Sequence, residues 1–495
     1  MKKIVLFIIA FIAINQAFAQ INPFNAKDSV QITGKIIGYD PNQADHFITF
    51  STNDLFGKST SQAIQIEDNG SFWVKLYQSF EGDMQLNYKD AYINIYTKPN
   101  QVLQLDIYDS KVKRETNYEG AFIAKGELAS INNLMFKFKT KFDNNIFQNK
   151  PDMGDKKQSD SAYAASMIRK LNEQLTFLNN FIKSNKVTDQ KFINWQGSLL
   201  KYEAAKDILF FPFAGKYNKE ITQRQLLQFI NTIPINNENA YHNSSYYGFL
   251  SILCSDQQIM ININPIYDAF KIQNGKNTTG ICLDEIDKFA AGLARQLMYY
   301  NVFLHKAGSV SDSTPYSARF NTSITNPFLK EQLLSGDAHR NVIFKKFNVV
   351  DRLNALNVNS ALKQRLISLF TQYEGISLYI DFWGDWCGPC MSELPNYPKL
   401  ITTLAGKPIK FLFLSTFTTE ESMLAIKGKF KINGDFVNLT KDEVSIVNNV
   451  FEFHSYPSHF MINDKGEAVN NTWKMSSSNI QQKVKEIEQF IVSKQ

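Results

Sequence analysis

Between Val30 and about Asp109 polar and apolar residues alternate in short runs, the pattern of strands with one buried face. Gln31 to Ile36, Ala63 to Ile66, Phe72 to Leu76, Tyr92 to Tyr96 and Val102 to Ile107 each fit it. Asp68-Asn69-Gly70-Ser71 between two of these runs predicts a hairpin turn. Strands this short and close predict an antiparallel β-sandwich over residues 20–120. Asp68, Asp106 and Asp109 read as turn and edge residues there. Beyond Gly120 the period lengthens. Met167, Leu171, Leu175, Leu178 and Ile182 recur every three to four residues, which predicts an amphipathic helix. A second helix is expected from about Gln190 to Phe211, stopping before Pro212. Further helices are expected at 222–232, 243–256, 283–306 and 352–371. Residues 121–350 therefore read as mainly helical, with their aromatics as core.

The last stretch, 351–495, changes again. Ile376 to Trp383 is a buried-strand run, followed by an amphipathic segment from Cys390 to Leu404 and a strand from Ile409 to Leu414. A helix from Thr419 to Phe430, a strand pair around Asn463-Asp464-Lys465-Gly466 and a helix from Ile480 to Val492 complete it. Strands alternating with helices and ending in a hairpin predict a small α/β sheet of mixed order.

Composition narrows the class. A chain of 495 residues with 44% apolar residues holds several cores, roughly three domains. At its start Lys2 and Lys3, an apolar stretch from Ile4 to Ile14 and Ala17-Phe18-Ala19 read as a secretory signal peptide cut after Ala19. The stretch is short for an uncleaved anchor, and Gln20 leaves no cysteine there to carry a lipid. The expected location is the periplasm or cell envelope. Net charge is +6, and losing the two signal-peptide lysines gives +4, too little to argue for nucleic acid.

Four cysteines are too few for a disulfide-stapled miniprotein, but two of them carry chemistry. Trp386-Cys387-Gly388-Pro389-Cys390 follows a strand and opens a helix, the placement of a redox pair. Two intervening residues on a helical turn bring the sulfurs within bonding reach. Free N–H groups at the helix start favour a thiolate at Cys387, and Pro389 suits the first turn because its missing N–H is not needed there. Zinc is a poor rival. His454 and His459 could supply nitrogen, but 63 residues separate Cys390 from His454, far from finger spacing. Cys254 and Cys282 read either as a structural disulfide or as two buried thiols.

The segment Asp381-Phe382-Trp383-Gly384-Asp385-Trp386-Cys387-Gly388-Pro389-Cys390 resembles the active-site segment of thioredoxins. Pro395 matches the proline that kinks the first active-site helix of that family, and Tyr456-Pro457 matches its cis-proline. Within the fold, the sequence is similar to TlpA-like thiol:disulfide oxidoreductases of the bacterial envelope. Glu393 and the long stretch from Thr418 to Phe453 both fit that group.

The resemblance implies that Cys387 attacks and Cys390 resolves, with no cofactor beyond their own redox-active disulfide. Asp381, matching the thioredoxin acid, and Glu393, one turn from Cys390, are expected to take the proton that Cys390 releases. Trp386, Gly388, Pro389, Tyr456 and Pro457 are expected to meet the substrate, whereas Asp385 reads as a solvent-facing loop residue. The implied partners are protein disulfide clients and an envelope or membrane electron donor. The Gly-Pro spacer resembles reducing thioredoxins. A disulfide-donating oxidase, and a binding or scaffold protein with a redox-sensing terminal domain, remain alternatives.

Overall fold

The computed structural model describes residues 24, 29–42, 45–53, 59–78, 80–89, 91–112, 118–143, 160–214, 232–254, 280, 283–284, 286–306, 317–341, 347–356, 358, 360–453, 455–471 and 480–492. The expected signal peptide, all but the last residue of the helix expected at 222–232, Cys282 and His454 lie outside them.

Eight strands come first: β1 (Ser29–Ile37), β2 (Phe47–Asn53), β3 (Ser59–Gln65), β4 (Ser71–Tyr77), β5 (Gly82–Tyr88), β6 (Ala91–Thr97), β7 (Val102–Tyr108) and β8 (Phe122–Lys125). They form two four-stranded sheets, ordered β4-β1-β7-β8 and β3-β2-β5-β6. Alternation builds the buried faces, as in β4, where Phe72, Val74 and Leu76 are buried between outward Trp73, Lys75 and Tyr77.

Two expectations need correction. The sheets are not wholly antiparallel, because β1 runs parallel to β7. The turn at Asp68–Ser71 is real, with Gly70 at φ +83° and its N–H donating to the Glu67 carbonyl at 2.7 Å. Its flanking strands, however, enter different sheets: β3 pairs with β2, and β4 with β1. A turn motif specifies a local reversal, and which neighbour each strand then finds is decided by the long-range packing of its apolar face.

Helices follow: α1 (Ala129–Asp143), α2 (Asp160–Ser184), α3 (Gln190–Ala214), α4 (Ser244–Leu253), α5 (Gly292–Lys306), α6 (Ser317–Ser323) and α7 (Pro327–Asn341). The expected stop before Pro212 is corrected, since α3 runs two residues past it. Without an N–H to donate to the preceding turn, Pro212 is followed by only two more helical residues. The buried apolar cluster is continuous from Phe24 to Leu333, so the helices and both sheets share it.

The remaining elements are β9 (Phe347–Asn348), α8 (Val349–Ala355), α9 (Ser360–Thr371), β10 (Ser377–Trp383), α10 (Gly388–Glu393), α11 (Tyr397–Thr403), β11 (Ile409–Thr416), α12 (Glu420–Phe430), β12 (Asp435–Leu439), α13 (Lys441–Phe451), β13 (Ser458–Ile462), β14 (Glu467–Asn471) and α14 (Ile480–Val492). The single helix expected at 352–371 is thus two, α8 and α9. The strands form one sheet ordered β12-β11-β10-β13-β14-β9. β10, buried along its whole length, runs parallel to β11 and antiparallel to β13.

The first and last parts of the chain touch. The Asn449 amide of α13 accepts from the Ala63 N–H at 2.9 Å and donates to the Ala63 carbonyl at 2.7 Å, so it covers the free edge of β3. His46 Nδ1 lies 2.6 Å from Asp442 Oδ2, and Lys441 pairs with Asp45. Phe47 and Ala63 belong to the same apolar cluster as Val444, Val447 and Phe451.

Candidate active site

β10 ends at Trp383, and the chain turns through Gly384 and Asp385 into α10. Cys387 is the N-cap of α10, with Pro389 in the first turn. Its sulfur accepts the Cys390 N–H at 3.2 Å and is bonded to Cys390 Sγ at 2.04 Å. Pro395 sits in a 3-10 turn that interrupts the helix between α10 and α11. The Tyr456-Pro457 peptide is cis. Thus the structure assembles the cysteine pair, the bend and the cis-proline named from the sequence.

Both sulfurs are covered. Cys387 is 4% exposed, while Gly388 and Pro389 beside it are exposed and Trp386 is 53% exposed. Both cysteines belong to the apolar cluster of Trp383, Leu394, Tyr397 and Met461, against which Tyr456 packs. The Trp386 indole donates to the Thr416 carbonyl at 3.0 Å and meets Tyr456 edge-on, with centroids 5.1 Å apart. Gly384 makes room for it: a Cβ there would lie 2.3 Å from Trp386 Nε1. Asp385 is exposed as expected, yet it is tied down. It accepts from Thr418 Oγ1 at 3.1 Å and Ser422 Oγ at 2.6 Å, joining the motif loop to the start of α12.

Asp381 and Glu393 come together in the interior. Asp381 points from β10, Glu393 from α10 one turn after Cys390, and both are buried. Between them lies His459 of β13, the cross-strand partner of Asp381, at 1% exposure. Its Nε2 is 3.4 Å from Asp381 Oδ1 and 3.2 Å from Glu393 Oε2. These are ion-pair distances without hydrogen-bond alignment, since none of the three atoms has a hydrogen-bond partner among the described residues. The other Asp381 oxygen accepts the Tyr397 hydroxyl at 2.7 Å. Lys483 enters from α14, also buried.

Burial dominates the electrostatics. It pushes the Asp381 carboxyl up to about 6, with His459, Tyr397 and Lys483 pulling it back and Glu393 adding to the rise. Burial likewise brings the Lys483 ammonium down to about 8 against the opposing pull of Glu486, Glu393 and Asp381. Burial holds the Tyr397 phenol well above its ordinary value, which keeps it a donor to Asp381. A buried carboxyl that titrates near neutrality can accept a proton and return it.

Sequence reasoning brought Asp381 and Glu393 to this site but treated His459 only as a zinc candidate, and it did not select Tyr397 or Lys483. A signal existed for two of them. His459 is a polar residue directly before the apolar run Phe460-Met461-Ile462, and Lys483 shares the helical face of Ile480, Val484 and Ile487. Among the described residues no group of three or more His, Cys, Asp or Glu side chains is arranged to hold a metal ion. Away from the site, Cys254 is buried, and its thiol lies 3.6 Å from the Met298 carbonyl.

The bonded Cys-Gly-Pro-Cys pair at the strand-to-helix junction of a mixed sheet, with a cis-proline entering β13, is the arrangement that the resemblance to thioredoxins implies. In agreement, the chain resembles the thioredoxin-fold thiol:disulfide oxidoreductases. It is 22% identical over 94 residues to sporulation thiol-disulfide oxidoreductase A of Bacillus subtilis, covering 19% of this chain and 57% of that protein. It is 24% identical over 118 residues to the thiol-disulfide oxidoreductase ResA of Geobacillus thermodenitrificans, covering 24% of this chain and 66% of that one. The chain thus spans somewhat more than half the length of these curated relatives. Among solved structures, the thioredoxin domain of a thiol-disulfide oxidoreductase from Bacteroides vulgatus is 21% identical, covering 24% of this chain and 82% of that chain with a TM-score of 0.22. No family model matches the chain.

Proposed function

We propose that this chain is a thiol:disulfide oxidoreductase of the cell envelope that reduces protein disulfides through Cys387 and Cys390. The observation that carries the reading is the bonded cysteine pair opening α10, one turn from the buried Glu393, with Asp381 beside that carboxylate. In the reduced form the Cys387 thiolate attacks a client disulfide, and one client sulfur leaves as a thiolate. Cys390 then gives up its proton and displaces the second client sulfur, which closes the Cys387–Cys390 bond. Two electrons pass to the client. The exposed rim of Trp386, Gly388 and Pro389, with the Tyr456-Pro457 loop, is where the client backbone docks. No cofactor is needed beyond the dithiol, and an envelope donor of electrons restores it. The signal segment ending at Ala19 supports the location, and the relatives' names support the reaction class. In this reading the two four-stranded sheets and the helices that share their core together present the C-terminal part, with its six-stranded sheet, to the clients. The expected boundaries at 120 and 350 therefore move, to let β8 join the first sheets and β9 the last.

Trapping tests it. Cys390→Ala is expected to accumulate client proteins as mixed disulfides on Cys387, and Cys387→Ser to trap none and reduce none. A wild-type protein that reduces no protein disulfide would refute the reading. A reduction potential at the oxidising end of the range, with disulfide donation to reduced substrates, would reverse the direction.

A further inference from the structure

Four elements bring ionisable side chains to one buried place: Asp381 from β10, Glu393 from α10, His459 from β13 and Lys483 from α14. Tyr397 of α11 donates to Asp381, and Glu486 of α14 acts on Lys483. Burying so many ionisable groups is costly unless each charge is answered by another. Within the group, a single nitrogen, His459 Nε2, faces two carboxylate oxygens that have no other hydrogen-bond partner. A ring N–H at that position can turn toward whichever oxygen is charged.

We propose that His459 is a positioning residue of the exchange reaction, joining Asp381 and Glu393 into one unit that holds the proton released by Cys390. The inference deepens the proposed dithiol reading and rests on it. During resolution the Cys390 thiol proton passes to the carboxylate pair. The Cys390 thiolate forms its bond to Cys387 as the bond between Cys387 and the client sulfur breaks. The carboxylate pair then gives that proton up to the departing client thiolate, so the pair regains its starting charge and protons and electrons balance. His459 donates to the carboxylate that remains charged, so one ring serves both oxygens. Without the ring, the two buried carboxylates lose the donor between them, so proton uptake from Cys390 is impaired.

The test follows oxidation of the reduced full-length protein by 2,2′-dithiodipyridine from pH 5 to 9. Attack by Cys387 releases the first thiopyridone, and resolution by Cys390 releases the second. In His459→Leu the first release is expected to stay within about twofold of wild type. The second is expected to slow by about tenfold at pH 6–7, a modest part of what a general base contributes, with its inflection moved to higher pH. His459→Gln, which keeps a donor, should recover part of the rate. A His459→Leu profile identical to wild type, or scaled by one factor at every pH, overturns the role of His459. A wild type that releases no second thiopyridone overturns the dithiol reading itself. Should the variants fail to fold, the wild-type imidazole decides the matter. Its 15N signals at pH 7 should move on reduction of the disulfide and move less in Glu393→Gln, and an unresponsive ring overturns the inference.

Discussion

At the residue scale, Asp381 sets function against stability. Its carboxyl is raised to about 6 in the folded protein from an ordinary 3.8, with burial as the largest cause. The folded state therefore binds more protons than the unfolded state between those values. Below about pH 4 the group is neutral in both states and costs nothing. As the pH rises through 6 the full penalty develops, at most about 3 kcal/mol before allowing for the loss of partners by His459 and Lys483. Asp381→Asn keeps an acceptor for Tyr397 and removes the charge. Denaturant midpoints of the oxidised variant should match wild type at pH 4 and exceed it at pH 8, while its disulfide exchange slows. Gly384 is the other revealing position. Gly384→Ala puts a Cβ against the Trp386 indole and breaks its bond to the Thr416 carbonyl. That should cost about 1 kcal/mol and alter near-ultraviolet circular dichroism. It should also slow reduction of a protein disulfide more than of a small one, because the displaced ring belongs to the proposed docking rim.

At the element scale, α13 does more than fill the stretch between β11 and the cis-proline. It starts on a capping box, in which Thr440 accepts the Glu443 N–H and Glu443 accepts the Thr440 N–H. That start fixes its rotation, so one face enters the C-terminal core and Asn449 and Asp442 turn to the first part of the chain. Asn449→Ala strands the Ala63 N–H and carbonyl at a partly buried edge, an expected loss of about 1–3 kcal/mol. Faster amide exchange at Ala63 would report it. The His46–Asp442 pair adds a pH dependence. Burial lowers the His46 pKa, but the hydrogen bonds to Asp442 and the Pro41 carbonyl, with the charges of Asp442 and Asp45, together outweigh it and leave it raised above 6.5. Its stabilising share is full below the ordinary histidine value and is lost as pH climbs through the raised one. Proteolytic separation of the two parts should therefore quicken with rising pH, and His46→Gln should flatten that dependence.

At the scale of the whole molecule, what could be read from the sequence was what is local. The helix from Ile480 to Val492, the hairpin around Asn463–Gly466 and the cysteine pair each sit within a few turns of chain, and the structure has them where the pattern put them. What escaped depends on distant pairings. His459 meets Asp381 because β13 lies beside β10 in one register, and β3 leaves β4 because each finds a different sheet. The same distance effect joins the ends of the chain, since Phe47 of β2 is buried in the C-terminal apolar cluster with Val447 and Phe451. Phe47→Ala in the full chain should cost about 3–5 kcal/mol if that cluster cannot collapse around the void. The informative measurement is its coupling to other positions. Phe47 and Asn449 serve one contact between β2–β3 and α13, so once either has loosened it the second substitution removes less. The double variant should fall short of the summed single losses by more than about 0.5 kcal/mol. Gly384→Ala, acting on Trp386, shares no partner with Asn449, and those two should add. Additive losses for Phe47→Ala with Asn449→Ala would mean that the strands and the helix are held independently, and that the first part of the chain does not dock on the last as one unit.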